Sequence, residues 1–316
     1  MVTTIVSSKK RKSEKIDNSQ PSNGDKVLSC LKKELLLTSF SKIYLQHLSS
    51  RYLEQQDPKV LASFLETRYQ FFKDTLDQGQ SFESCFHFSS VKYGKDKRCV
   101  LEFVSPDSSH MLITIQAIFK EFDLRIMRTF HPIMAVEFNS KNKLKKIDFP
   151  NSKCNLVSVT YIEFDFVEDE QFISELSDRI SYHLFSSVYA SLGQSKISNK
   201  MESIKTFITS NSFEISEPKK EWLDLLDWLR DQNFSFFGYI SYNFEPSSNL
   251  VSCDVKSGLG ILSQNVSVDY SNLFELLDAN LCSRNDFSSP FIFDTIPFDS
   301  PVQRFEHLMR LSLRVP

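Results

Sequence analysis

The sequence predicts an α+β protein: a helical segment over residues 27–78, a βαββαβ module over 82–212, and a second mixed α+β module over 216–316, behind a disordered basic tail over 1–26. Three observations predict it. Apolar residues recur at three- to four-residue spacing as far as Leu76, they begin to alternate after Gly79, and the order strand, helix, strand, strand, helix then follows along the chain.

The tail is polar, with Lys9-Lys10-Arg11-Lys12 and then Gln20-Pro21-Ser22-Asn23-Gly24. One basic tetrad without interleaved aromatics reads as a solvated tail rather than an RNA-binding or import patch. From Asp25 the stripes Val27, Leu31, Leu35, then Phe40, Ile43, Tyr44, then Leu61, Phe64, Leu65, Tyr69, Phe72 predict three helices, broken near Thr38 and at Gln56-Asp57-Pro58.

In the module that follows, Phe86 and Phe88 share one strand face and Cys85 and His87 the other. Tyr93-Gly94-Lys95-Asp96 makes a turn into a strand over 98–104. A helix over 108–122 carries the stripe Met111, Ile115, Ile118, Phe119 and Phe122. Strands over 124–130 and 133–138 flank His131-Pro132, and Asn139–Lys146 is a lysine-rich hairpin tip. A strand over 156–167 puts Ile162, Phe164 and Phe166 opposite Tyr161, Glu163 and Asp165.

A helix over 169–192 is expected to stop at Gly193, with a further helix over 196–210. A strand closing this unit would make it ferredoxin-like. Pro218 opens a helix with Trp222, Leu225, Leu226 and Leu229 inward. A strand over 234–244 pairs with 250–255, Gly258–Leu262 reads as a turn plus strand, and a helix lies near 270–281. The end is rich in Ser, Pro and Asp and stops at Arg314-Val315-Pro316 in a strand-like pattern, so the second module is expected to be truncated.

Composition excludes several classes. The net charge of −3, from 37 basic and 40 acidic residues, gives no general attraction to nucleic acid or acidic lipid. No run reaches the ~18 apolar residues of a membrane span, and a cytoplasmic location is expected. Cys30, Cys85, Cys99, Cys154, Cys253 and Cys282 form no CxxC and read as free thiols. Only seven glycines accompany 29 phenylalanines, too few for the backbone approach that phosphate-cradling loops require.

Four constellations invite a chemical reading, and each has a simpler one. His131 before Pro132 could be a base or a ligand, but no acid, cysteine or second histidine stands at a motif spacing, so it reads as a bend or bulge. Glu163 and Asp165, about 7 Å apart on one strand face, could share acid–base work; with Phe164 and Phe166 filling the buried face they read as solvent-facing. Cys85, His87 and Cys99 lack the repeated short spacing of a zinc site. Gly258 and Gly260 lack the third glycine and following helix of a dinucleotide fingerprint. No residue is therefore assigned as catalytic, cofactor-binding or metal-binding.

Four stretches carry a resemblance: "FSKIYLQHLSSRYLEQQDPKVLASFLETRYQFFKDTL" (40–76), "HMLITIQAIFKEFDLRIMRTFHPIMAVEF" (110–138), "SVTYIEFDF" (158–166), and "EWLDLLDWLRDQNFSFFGYISYNF" (221–244) with "GLGIL" (258–262). Together they resemble, over about residues 28–316, the N-terminal region of the large bacterial NAD-specific glutamate dehydrogenases. In that family the second stretch opens with a Pro-Phe-Leu-Val-Asp-Ser-like motif and runs to a His-Pro. Here Ser109–Thr114 reads Ser-His-Met-Leu-Ile-Thr, which argues against carrying the family's ligand loop onto these positions.

The resemblance implies an ACT-like module serving assembly or amino-acid regulation. Whole family members oxidise L-glutamate to 2-oxoglutarate and ammonia with NAD reduction, through a catalytic lysine and a dinucleotide-binding domain downstream of anything in this chain. It therefore implies a non-catalytic regulatory portion with no cofactor of its own. Its partners are the rest of a dehydrogenase chain or its protomers, and an amino-acid effector, with neither nucleic acid nor membrane. The alternatives are a free-standing ACT-like amino-acid-binding module and a non-functional gene fragment.

Overall fold

A computed structural model describes residues 22–77, 85–108, 110–151, 155–210, 219–233, 235–245, 250–264, 266, 268–282, 291–302 and 307–313. The described residues open with four helices, α1 (Asn23–Cys30), α2 (Leu35–Gln46), α3 (Ser50–Gln55) and α4 (Pro58–Asp77). Local chemistry starts three of them. Ser22 and Asp25 form a capping box on α1, so Ser22–Gly24 belongs to a helix start and not to a tail. The Ser49 side chain caps α3, and Asp57 Oδ1 accepts from the amides of Lys59 and Val60 while Pro58 occupies the first turn of α4. The break expected near Thr38 falls instead between Cys30 and Leu35, because the Thr38 hydroxyl donates to the Glu34 carbonyl inside α2.

A six-stranded antiparallel sheet follows, built from β1 (Cys85–Tyr93), β2 (Asp96–Pro106), β3 (Ile126–Phe130), β4 (Ile133–Phe138), β5 (Leu144–Asp148) and β6 (Asn155–Asp165). The spatial order is β1-β2-β6-β4-β5, with β3 also on β6. Gly94, at φ +63°, makes the tight β1–β2 turn that a side chain would strain. Leu144–Lys146, read as hairpin tip, lies in β5. β3 and β4 are two halves of one bent line, and the ladder spans the bend because the Val159 amide donates to the Pro132 carbonyl at 3.0 Å.

Helix α5 (Met111–Glu121) crosses from β2 to β3, and α6 (Glu170–Ser210) follows β6. This is the α+β split order read from the sequence. The edge place beside β2 is filled from the N-terminal side by β1, while the strand after α6 joins another sheet.

Both faces of the sheet are covered. Leu101, Phe103, Ile162 and Phe164 pack on Ile115, Ile118 and Phe119 of α5 and on Leu176, Ile180 and Leu184 of α6. Val100, Val104, Val157, Val159 and Tyr161 pack on the opposite face against Phe40, Tyr44, Leu61, Leu65 and Phe72 of the helical layer. Two-sided burial explains the near-continuous apolar run Cys99–Val104, which strict alternation does not.

Beyond the sheet come α7 (Lys219–Trp228), a π turn (Leu229–Asn233), β7 (Gly238–Glu245), β8 (Leu250–Gly260), α8 (Ser271–Cys282), β9 (Phe291–Asp299) and β10 (His307–Leu313). β7 pairs with β8 and β9 with β10. The expected start of α7 at Ser216-Glu217-Pro218 lies outside the described residues, as do the tail over 1–21 and the last three residues.

Gly193 does not end the long helix; α6 runs through it to Ser210, and the helix read over 196–210 is its continuation. The reason is contact: a Cβ on Gly193 would lie 2.6 Å from Gly260 Cα, so this glycine admits β8 against the helix. Leu192, just before it, is exposed. α6 contributes Leu176, Ile180 and Leu184 to the first core, and Ala190, Met201 and Ile208 to those of the second module.

Candidate functional site

Two polar groupings sit in the sheet, one on each face. On the face toward α1–α4, β2 presents Glu102 within an apolar run and β6 presents Glu163, both buried. Their register partners are Tyr161 and Val100, so the two carboxylates lie diagonally across adjacent strands. Glu163 was expected to face solvent beside Asp165. It is 1% exposed, because the helical layer covers the face that a two-layer reading leaves open.

Glu102 receives Arg68 from α4 at 2.5 Å, and that guanidinium lies over the Phe64 and Tyr161 rings at 4.8 and 5.2 Å. Burial pushes the Glu102 carboxyl up to about 7, against the opposing pull of Arg68. Glu163 accepts from Arg128 Nη1 at 2.7 Å, Arg98 Nη1 at 3.0 Å, Tyr93 OH at 2.6 Å and Tyr161 OH at 3.2 Å. Burial, then the hydrogen bond to Glu163, raises the Tyr93 phenol to about 12. Asp165 goes elsewhere: it accepts the Arg125 amide at 2.7 Å and the Arg125 guanidinium at 3.3 Å. The two carboxylates of β6 thus have separate partners and do not form a pair for acid–base work.

On the opposite face, His131 Nδ1 lies 2.7 Å from Thr160 Oγ1 and Nε2 lies 3.9 Å from Asp107 Oδ1. Burial, helped by His47, drives the His131 imidazole down to about 4, so it is neutral at pH 7. The hydroxyl, imidazole and carboxylate invite comparison with a nucleophilic triad. Thr160 is fully buried, however, and 3.9 Å exceeds hydrogen-bond reach, so the set holds the bend between β3 and β4 together. Further buried hydroxyls continue from it: Ser105 meets Ser158 at 3.3 Å, and Ser108 donates to the Ser187 carbonyl of α6 at 3.2 Å.

The remaining sequence candidates do not converge. Register places His87 opposite Glu102, on the helical-layer face, whereas the Cys99 thiol packs into the α5/α6 core; the Cys85 side chain lies outside the described residues. Among the described residues no group of three His, Cys, Asp or Glu side chains is arranged to hold a metal. Gly258 and Gly260 lie in β8, followed by a turn at Ile261–Leu262, the reverse of the order expected. A Cβ at Gly258 would sit 2.0 Å from the Leu262 carbonyl oxygen, and one at Gly260 2.2 Å from that of Phe237. The space these glycines free is filled by the chain's own backbone, so the pair does not fit a dinucleotide pyrophosphate.

Sequence reasoning missed Glu102, Arg68, Arg98 and Arg128. The available signal was a lone glutamate inside Cys99–Val104, which must find a cation if that strand is covered on both faces.

An antiparallel sheet in split βαβ order, with two helices on one face, has the architecture of an ACT-like module. Residues 40–180 match the family model of the glutamate dehydrogenase ACT1 domain, from Phe40 in α2 to Ile180 in α6. That span contains the whole six-stranded sheet. Residues 40–180 thus form an ACT-like region of the glutamate dehydrogenase type. No curated protein matches it. Among the described residues no helix is long and apolar enough to cross a membrane.

Proposed function

We propose that the chain is the non-catalytic regulatory and assembly portion of an NAD-specific glutamate dehydrogenase, the enzyme class that converts L-glutamate, NAD and water to 2-oxoglutarate, ammonia and NADH. The ACT1 match over residues 40–180 carries this reading. The buried polar groups support it: Glu102, Glu163 and His131 are each engaged by neighbours within the chain rather than presented to a substrate.

In this reading NAD and glutamate chemistry belong to other residues of the dehydrogenase. The chain's partners are that remaining polypeptide or neighbouring protomers, an amino acid acts as effector, and the location is cytoplasmic. Purified 316-residue chain should give no NADH from glutamate and NAD, yet should associate with the catalytic region supplied separately and alter its rate. Turnover by the chain alone refutes the reading. Calorimetric heat with an amino acid, without association, favours a free-standing amino-acid-binding module.

A further inference from the structure

We propose that Arg128 anchors a carboxylate-binding site formed by β3, α3 and the β1 edge. The argument is a comparison between two arginines on one buried glutamate. Arg98 and Arg128 each give a single nitrogen, Nη1, to Glu163. The remaining edge of Arg98 is completed inside the chain, where Asp96 Oδ2 accepts from Nε at 2.9 Å and from Nη2 at 2.6 Å. Arg128 has the same edge, and no described residue accepts from its Nε or Nη2.

That edge is held in place rather than free to wander. The Arg128 guanidinium lies over the rings of Tyr52, Tyr93 and Phe130 at 4.7, 5.5 and 5.9 Å, and Nη1 also donates to Tyr93 OH at 2.9 Å. Glu163 already accepts from four donors, so it draws on one Arg128 nitrogen only. The side chain is 25% exposed, and Tyr93 beside it is 40% exposed. A guanidinium fixed in plane by stacking, with two parallel N–H groups that no described residue accepts, matches the two oxygens of a carboxylate. Glu163 is then the positioning residue and Arg128 the binding one.

The ligand class is a small carboxylate. Glutamate and 2-oxoglutarate are chosen as probes because of the function proposed above; the site itself does not rest on that reading. The test treats the full chain with phenylglyoxal, which adds to guanidinium groups, and follows each arginine by mass spectrometry with glutamate, 2-oxoglutarate, acetate or glycinamide present. Carboxylates should slow modification of Arg128 while the more exposed Arg125 reacts at an unchanged rate, and glycinamide should protect neither. Calorimetry on Arg128→Lys, which keeps a cation for Glu163 but lacks the planar fork, should show about tenfold or greater weakening.

No protection of Arg128 by any carboxylate overturns the proposal, as does undiminished binding by a folded Arg128→Lys protein. Protection by acetate as strong as by glutamate sustains the site while removing its link to glutamate metabolism.

Discussion

Replacing Glu102 with glutamine isolates the energetic consequence of burying a carboxylate beneath the helical layer. The Glu102 carboxyl titrates at about 7 in the folded chain against an ordinary 4.5, so between those values the folded state holds one proton that the unfolded chain has released. Stability from this group is therefore complete below pH 4.5 and is lost as pH rises through 7. One proton over that interval corresponds to about 3 kcal/mol, at ~1.4 kcal/mol per pH unit. Glu102→Gln cannot titrate, and Arg68 retains its stacking on Phe64 and Tyr161. Urea denaturation of both proteins at intervals from pH 4.5 to 8 should show wild-type stability falling relative to the variant by about 3 kcal/mol, with no further change above pH 7.5. Taking the difference cancels the histidines, which both proteins share. A difference that is flat, or rises with pH, refutes the account of Glu102 as a carboxylate dominated by desolvation.

The histidines give the opposite slope. His131 and His183 are each driven down to about 4 chiefly by burial, so their stability is complete above the ordinary 6.5 and is lost as pH falls toward 4; His131→Gln should make the protein less acid-sensitive by about 3 kcal/mol over that range, measured by the same melts. Gly193→Ala places a methyl group 2.6 Å from Gly260 Cα and should destabilise by about 1–3 kcal/mol, outweighing the gain alanine normally brings inside a helix; an unchanged melting temperature would disprove the close contact. Ser22→Ala removes the capping box and should cost about 1 kcal/mol locally, seen as faster amide exchange in α1 with the sheet unaffected.

Most of the architecture was legible because single elements bury single faces. The α4 stripe Leu61, Leu65, Tyr69, Phe72, the Gly94 turn and the two strands flanking His131-Pro132 were each visible in spacing or turn chemistry. What escaped depends on a third layer. The near-continuous apolar run of β2 hints that both its faces are covered, but the alternation of β6 does not, since Glu163 looks solvent-facing until α1–α4 dock on it. Gly193 escaped for a related reason: a glycine late in a helical pattern reads as a stop unless the strand that presses on it is known, and β8 lies more than fifty residues away. The strands β9 and β10 lie where Ser, Pro and Asp mask a short alternation, and their pairing is a tertiary fact.

The same third layer explains why the charged residues of this module were hard to read as function. A carboxylate buried between a sheet and a helix needs a cation, and the cation comes from whichever element is near: Arg68 from α4 for Glu102, and Arg98 and Arg128 from β2 and β3 for Glu163. These pairs are weak evidence for stability, because the desolvation of two ions offsets their attraction, as the raised Glu102 titration already indicates. Their stronger effect is geometric. Glu102 ties β2 to α4 through Arg68, and Glu163 holds two guanidinium planes whose outer edges differ in one respect, the presence of Asp96 on Arg98 alone. Glu163→Gln separates these roles. It should leave the ring stack around Arg128 in place while weakening the hydrogen bond at Nη1, so carboxylate protection of Arg128 should fall although the sheet stays folded. If protection is unaffected, Glu163 is a structural ion and takes no part in orienting the binding edge.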